Sequence, residues 1–549
     1  MKRLSVICLI FTLTLNVAAG HRHGATAADE RVIVLLDRSM YISGETIQFS
    51  AKILKDGPTA GSTVLYCELI TPDGIRTAGA KYPVAENFVK GDLRIPSDLV
   101  TGTYYFRAYT KMMRSNGPSG YCYSALKIIN PNLKELQPSE TGEPGSGRDS
   151  IQPESGGILT NLEVYSPNDP ITFQVAGRNP DDPALAEYSL AVVPEAAAPS
   201  DDHPAPNSSA EAEVPFYPEN RGISLTGRLV RNGGNIPVAG ALIDLSILGQ
   251  GKDFMPGFTD STGRFFFALP SYYGNLDLFV SPAGTNLNGL KLQIDNDFCT
   301  LPVKLPAPPF HLSESEEKTA LNMAINWQVT SAFSPLRTDT IGKQKQTSVP
   351  FYGTPSDIIH IDDFVALPTL EEYFNELPML MKVRKIKGER KFRATGPESE
   401  LEVYDPLVLV DMVAVDDPEL VLAISPQSLD RIEVVNAPYV KGNQTYGGIV
   451  SIFSKRGDMG NIHLPSSGIF LNYMFYHEPE SMDILQDTTR NLPDSRNTVY
   501  WQAMHDTKMH GNEAGSFKAP DTPGHYLIVA RTISSKGSII RKTGRFEVK

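Results

Sequence analysis

The chain is poor in cysteine and tryptophan: its 549 residues hold four of the former and two of the latter. Cys8, Cys67, Cys122 and Cys299 stand far apart, with no Cys-x-x-Cys pair and no neighbouring histidine ligands, which removes the usual sequence basis of a structural zinc site. Positive charge is not in excess either. Fifty Lys and Arg face 63 Asp and Glu, for a net charge of -13, and no basic stripe interleaved with aromatics is read, so non-specific binding to nucleic acid is not expected. Long hydrophobic runs are missing too: the run from Leu4 to Leu15 is far short of the roughly 20 residues that a membrane-spanning helix needs. No Gly-x-Ser-x-Gly elbow, Walker-type phosphate loop or His-Glu-x-x-His run occurs. Nucleophilic, phosphoryl-transfer and zincin chemistries therefore lose their sequence support.

What is present begins with Lys2 and Arg3, the apolar run, and then the small residues Val17, Ala18, Ala19 and Gly20, the three-part pattern of a secretory signal. Residues 1–20 are expected to be removed after Ala19 or Gly20, with Ala25-Thr26-Ala27 as a later alternative, leaving an exported, soluble chain with no transmembrane segment. Cys8 lies too early in the run to carry a lipid anchor. An oxidising compartment permits a Cys67–Cys122 disulfide, since both residues sit in strand-like segments of one expected domain. Cleavage after Gly20 leaves His21-Arg22-His23, whose amine and third-position imidazole suit copper or nickel, against the plainer reading of a disordered polar tail.

Gly and Pro spread along the chain fit many short strands joined by turns, and the length suggests roughly three to five domains. The expected fold is mainly β, with several Ig-like β-sandwiches and one α+β unit. A sandwich is expected over 31–130, a flexible linker rich in Pro, Glu, Ser and Gly over 131–157, and a degenerate strand-rich unit with a low-complexity tract over 158–221. Residues 222–300 read as a further small sandwich, in which the Asp260-Ser261-Thr262-Gly263 turn joins two strands as a hairpin. Ser313 with Glu316 forms a capping box for a helix through about Val329, with Leu321, Ala324, Ile325 and Gln328 or Val329 on one face; Thr369 with Glu372 starts a second helix through Leu377. These helices lead into an α+β unit that ends near Gly457, the whole spanning 313–457, and a last sandwich fills 458–549.

Three stretches resemble known families. "LDRSMYISGETIQFSAKI" followed by "GDLRIPSDLVTGTYYFRAYTKMMRSNG" resembles the second macroglobulin-type domain of bacterial alpha-2-macroglobulins. "PVAGALIDL" and "TDSTGRFFFALP" resemble the carboxypeptidase regulatory-like domain, a structural module. "VLVDMVAVDD", "LDRIEVV" and "TYGGIVSIFSKRG" resemble the plug domain of TonB-dependent outer-membrane receptors. A receptor barrel of some 22 strands at roughly 10 residues each does not fit in the residues after Gly457. The combination is similar to envelope proteins of Bacteroidota, which implies a location in the periplasm or at the outer membrane more than an activity.

The macroglobulin resemblance does not extend to covalent trapping, because none of the cysteines lies in a Cys-Gly-Glu-Gln run. His311-x-x-Glu314 and His477-x-x-Glu480 have the spacing of a zinc pair, but so short a match arises easily by chance. Asp295-Asn296-Asp297 and Asp416-Asp417-Pro418 lack the ligand spacing of an EF-hand and read as solvated turns. No catalytic residue, metal or cofactor is expected, and the protein is not expected to be an enzyme. What remains is surface: "APYVKGNQTYGG" combines Tyr439, Lys441 and Tyr446 with glycines, a composition suited to contact with an envelope or outer-membrane protein, or else to turning the chain into the next strand. A non-catalytic envelope scaffold or accessory protein is the leading expectation. A periplasmic or surface module binding peptide or glycan is the second, and a metal-dependent hydrolase the third.

Overall fold

A computed structural model describes residues 30–55, 61–139, 157–175, 187–210, 216, 218–249, 253–284, 287, 289–333, 350–377, 379–462, 464, 467–478, 494–505 and 514–549. The expected signal segment, Cys8, the His21-Arg22-His23 motif and most of the expected linker lie outside them. The described chain is mainly β, in many small sheets, with one long helix.

The N-terminal sandwich packs the sheet Glu30–Leu36, Thr46–Lys55, Phe88–Arg94 against a five-stranded sheet ordered Met40–Ile42, Cys122–Ile129, Gly102–Tyr109, Val64–Ile70, Arg76–Pro83. Alternating apolar residues such as Ile47, Phe49, Ala51 and Ile53 fill the space between the sheets, as a strand with one buried face requires. The first part of the expected linker is fastened to this unit: Gln137 donates its backbone N–H to the Thr101 carbonyl at 2.8 Å.

The expected boundaries at 158–221 and 458–549 do not separate two units. Ser189–Pro194 pairs with Gly524–Ile533 and with Tyr500–Gln502, while Pro170–Val175 pairs with Ala514–Lys518. The two stretches supply complementary strands to one sandwich, and everything between them is inserted. Ile171, Phe173, Leu190 and Val192 from the first stretch share a core with Val499, Ile528, Ala530 and Phe546 from the second. Neither stretch has enough strands to bury that core alone, which is why the first reads as degenerate in sequence, while the second, expected to be a sandwich by itself, is only part of one.

The insert carries an inner sandwich. One sheet centres on Ser224–Arg231, flanked by Arg264–Ala268 and Leu290–Ile294; the other runs Asp253–Phe258, Leu242–Ile247, Asn275–Pro282, Ile469–Met474. The strand Ile469–Met474 returns from beyond the expected end of this unit to complete its sheet. The turn at Asp260–Gly263 forms as read, with Asp260 Oδ1 accepting from the N–H groups of Thr262 and Arg264 at 2.7 and 2.9 Å. It is not a hairpin, because Asp253–Phe258 and Arg264–Ala268 lie in different sheets and the turn arches between them.

Within the insert sits an α/β unit whose sheet runs Asp357–His360, Leu429–Val435, Ile449–Ser454, Leu407–Val410, Val413–Ala414. The Ser313 capping box is present, with the Ser313 N–H reaching Glu316 Oε2 at 2.8 Å, and Thr369 caps its helix by accepting the Glu372 N–H at 3.3 Å. They open the helices Glu314–Phe333 (α1) and Leu370–Glu376 (α2). The packed face of α1 is Ala320, Met323, Ala324 and Trp327, lying on Met40 and Ile42 of the N-terminal sandwich; Leu321 and Ile325, expected inside, are exposed. Counting the apolar positions favoured the two aliphatics, whereas the contact alternates the small Ala320 and Ala324 with the large Met323 and Trp327.

Candidate functional site

The stretch expected to contact a partner folds as the hairpin Tyr439–Lys441 and Gln444–Tyr446, and it is engaged within the chain. Lys441 Nζ stands 3.3 Å from Asp253 Oδ1 of the inner sandwich, and the Tyr439 ring packs on Phe351 with centroids 5.8 Å apart. Tyr446 is buried at 9% exposure with its ring edge-on to Phe254. Gly447 is required there, because a Cβ would lie 2.2 Å from the Tyr404 carbonyl oxygen. These three residues therefore seal the seam between the α/β unit and the inner sandwich, while Val440 and the turn residues Gly442 and Asn443 are open to solvent.

Two acids meet beside that seam: Asp244, which is buried, and Asp416, which lies exposed in its turn as read. Asp244, on Leu242–Ile247, is 5% exposed and its Oδ1 has no hydrogen-bond partner among the described residues; the Tyr446 hydroxyl is in the same condition. Asp416 arrives from the other unit and accepts the Gly284 N–H at 2.5 Å. Burial, then the charge of Asp416, pushes the Asp244 carboxyl well above the usual carboxylate range. Asp416 is raised by desolvation in spite of the Gly284 hydrogen bond, and burial followed by Asp244 and Asp416 raises the Tyr446 phenol. No pattern links positions so far apart in the chain, so only the fold brings them together.

Cys67, Cys122 and Cys299, the cysteines among the described residues, are free and buried. Cys67 and Cys122 do not form the expected disulfide, because both lie opposite Ala108, one on each side of the strand Gly102–Tyr109. Two strand spacings put their Cα atoms roughly 9–10 Å apart, beyond the roughly 7 Å that a disulfide spans. Cys122 Sγ does approach His203 Nδ1, at 3.6 Å. Burial pushes the Cys122 thiol up to about 12 and lowers the His203 imidazole, so both stay neutral, opposite to the thiolate–imidazolium pair of a cysteine nucleophile.

The remaining sequence motifs are absorbed by structure. His311 and Glu314 are both exposed at the start of α1. His477 Nε2 stands 3.1 Å from Asp92 Oδ2, and Glu480 lies outside the described residues. Asp295 pairs with Arg264 at 2.5 Å, and Asp297 takes Lys81 at 2.5 Å together with the Tyr473 hydroxyl. Among the described residues no group of three or more His, Cys, Asp or Glu converges as metal ligands would. Sequence reading also passed over a basic hairpin, Met381–Ile386 with Glu389–Ala394, whose charge is hidden in an acidic average.

No family model and no curated protein sequence matches the chain. Among solved structures it is similar to Salmonella alpha-2-macroglobulin reacted with methylamine, at 11% identity and a TM-score of 0.16, over 94% of this chain and 23% of that one. It is similar to Escherichia coli alpha-2-macroglobulin activated by porcine elastase at 10% identity and a TM-score of 0.22, over 95% and 44%. The three N-terminal domains of the bacteriophage RB49 outer capsid protein Hoc align at 12% identity and a TM-score of 0.11, over 51% of this chain and 67% of that one. The chain thus spans less than half the length of the two macroglobulins.

Proposed function

We propose that this is an exported, non-catalytic scaffold or accessory protein of a bacterial cell envelope, which engages an outer-membrane transporter or another envelope assembly. The observation that supports this most is the way its units are locked together. One apolar core runs without interruption from the N-terminal sandwich into the inner sandwich, with Tyr66 edge-on to Phe298 at 5.7 Å. Ile33 and Leu35 of the N-terminal sandwich pack with Met504 and Ile533 of the split sandwich, and Phe254 packs with Leu407 and Tyr446 across the third seam. Interfaces so apolar hold units in fixed relation, as a platform requires and a flexibly tethered binding module does not. Among the described residues no helix is long and apolar enough to cross a membrane.

The contact surface moves from the Tyr439–Tyr446 hairpin, which is occupied, to the outer edge of the α/β sheet. Asp357–His360 is the edge strand, paired on one side only, with Ile358 about half exposed and Val365 almost fully so just beyond it. Such an edge accepts a strand from a partner through main-chain hydrogen bonds. The test is in-cell crosslinking of the tagged full chain followed by mass spectrometry of what is recovered. Reproducible capture of an outer-membrane or envelope protein, reduced by Ile358→Asp with Val365→Asp, supports the reading; recovery of the chain alone overturns it.

A further inference from the structure

The hairpin Met381–Ile386 with Glu389–Ala394 carries Lys382, Arg384, Lys385, Lys387, Arg390, Lys391 and Arg393 against the single acid Glu389, in a chain of net charge -13. Its register sets like charges directly opposite one another three times: Lys382 with Arg393, Arg384 with Lys391, and Lys385 with Arg390. Each such pairing is destabilising in an antiparallel ladder. The hairpin is held in spite of this by its base, where Met381, Val383, Phe392 and Ala394 enter the core of the α/β unit.

The second strand also neutralises its own cations, as does the foot of the first. Lys391 and Arg393 reach Asp405 at 3.2 and 2.5 Å, Arg390 reaches Glu371 at 2.7 Å and also pairs with Glu419, and Lys382 donates to the Leu377 carbonyl at 2.8 Å. On the outer part of the first strand and on the turn, where Glu389 is the one acid, this stops. Arg384, Lys385 and Lys387 are exposed and have no acidic partner among the described residues. The turn itself projects into open space, since a Cβ on Gly388 would meet nothing within 4 Å. Beside the base, Val403 and Tyr404 of the segment that carries Asp405 are exposed as well.

We infer that the tip formed by Arg384, Lys385 and Lys387 docks the protein on an anionic lipid surface. The inference rests on the proposed envelope location, and names what the α/β unit faces there. Three charges on a projecting turn are too few for the six to ten phosphate contacts of a nucleic-acid site, and the one aromatic of the hairpin, Phe392, is buried and cannot stack on a base. A lipid surface instead presents laterally distributed anions that a small tip meets without wrapping. Each basic residue near such a surface contributes enough that three together raise partitioning roughly 100-fold, an effect screened by salt.

The test is co-sedimentation of the full chain with vesicles of phosphatidylcholine alone or mixed with phosphatidylglycerol, at low and high salt, for wild type and for R384A/K385A/K387A. A control, K134A/K318A/K536A, removes three exposed charges elsewhere. The expected result is binding to the phosphatidylglycerol vesicles only, lost at high salt, weakened on the order of 100-fold in the tip variant and kept in the control. No binding of wild type to anionic vesicles at low salt, equal binding by the tip variant, or tighter binding to a DNA oligonucleotide at the same salt each overturns the inference. Partner capture in cells with no vesicle binding leaves the scaffold reading standing and removes only the lipid surface; vesicle binding with no partner captured does the reverse.

Discussion

Thr498 and Asp37 stand 461 positions apart, yet the Thr498 hydroxyl donates to Asp37 Oδ2 at 2.5 Å. Asp37 is fully buried and also accepts from the Tyr41 hydroxyl at 2.6 Å and from the Gln48 N–H at 2.9 Å. Arg38 lies between Asp37 and Glu45, each at 3.2 Å, and Glu45 in turn accepts from the Asn497 amide at 2.9 Å. The residues of the "LDRSMYISGE" stretch thus form a polar lock that receives the 497–498 segment of the split sandwich.

Removing the centre of that lock is expected to cost far more than removing its outer arm. Asp37→Ala leaves Arg38 short of a buried counter-charge and is expected to destabilise by about 3–5 kcal/mol. Thr498→Ala loses one hydrogen bond and is expected to cost about 1 kcal/mol. Urea midpoints of the two variants measure the difference, and equal midpoints contradict the lock.

The thiols provide a second check. Cys67, Cys122 and Cys299 are buried and unbridged, so intact-mass spectra of the purified chain with and without reductant are expected to agree. Ellman's reagent is expected to find the thiols slowly in native protein and at once in denaturant, and a two-dalton gain on reduction refutes the geometry.

Asp244 gives a pH dependence with a defined sign. Its folded carboxyl holds its proton more tightly than an unfolded one, and Asp416 is shifted the same way. The favourable contribution is therefore complete below the unfolded value near 3.9 and is lost as pH rises through the folded one. Every unit of that elevation costs about 1.4 kcal/mol at neutral pH. Asp244→Asn is expected to raise the melting temperature at pH 7.5, with the gain over wild type shrinking towards pH 4. A gain independent of pH, or a loss at pH 7.5, contradicts the assignment.

Tyr446 separates shape from polarity. Its ring fills the seam against Phe254, while its hydroxyl has no partner among the described residues. Tyr446→Phe is expected to be neutral or slightly stabilising, and Tyr446→Ala to cost about 3–5 kcal/mol. Thermal unfolding of the pair reads this directly; a costly Tyr446→Phe means that the hydroxyl has a role that the geometry does not give it.

Local features were legible in the sequence because their causes are local. The capping residues Ser313 and Thr369 and the Asp260 turn are each specified within four residues, and strands such as Gly524–Ile533 announce themselves by composition. Partnership was not legible. Nothing near Ser189–Pro194 indicates that it pairs with Gly524–Ile533, and the expected end of the inner sandwich missed Ile469–Met474 because that strand returns after the whole α/β unit. The same limit explains the Tyr439, Lys441 and Tyr446 reading: loop composition marked a contact, but the contact is with Asp253 and Phe254 of the same chain. Net charge hid the basic hairpin, since an average over 549 residues erases a dozen.

The split sandwich is tested most directly by a cysteine pair across its two halves. Thr172 and Ser516 are opposed in the antiparallel register and face solvent, so their Cα atoms lie about 4.5–5.5 Å apart, within disulfide reach. Under mild oxidation T172C/S516C is expected to form an intramolecular bridge, whereas T172C/K518C, displaced two residues along the strand, is expected to remain open. A bridge in the first pair alone establishes that 157–194 and 494–549 form one unit around the insert; no bridge in that pair, or equal bridging in both, contradicts it.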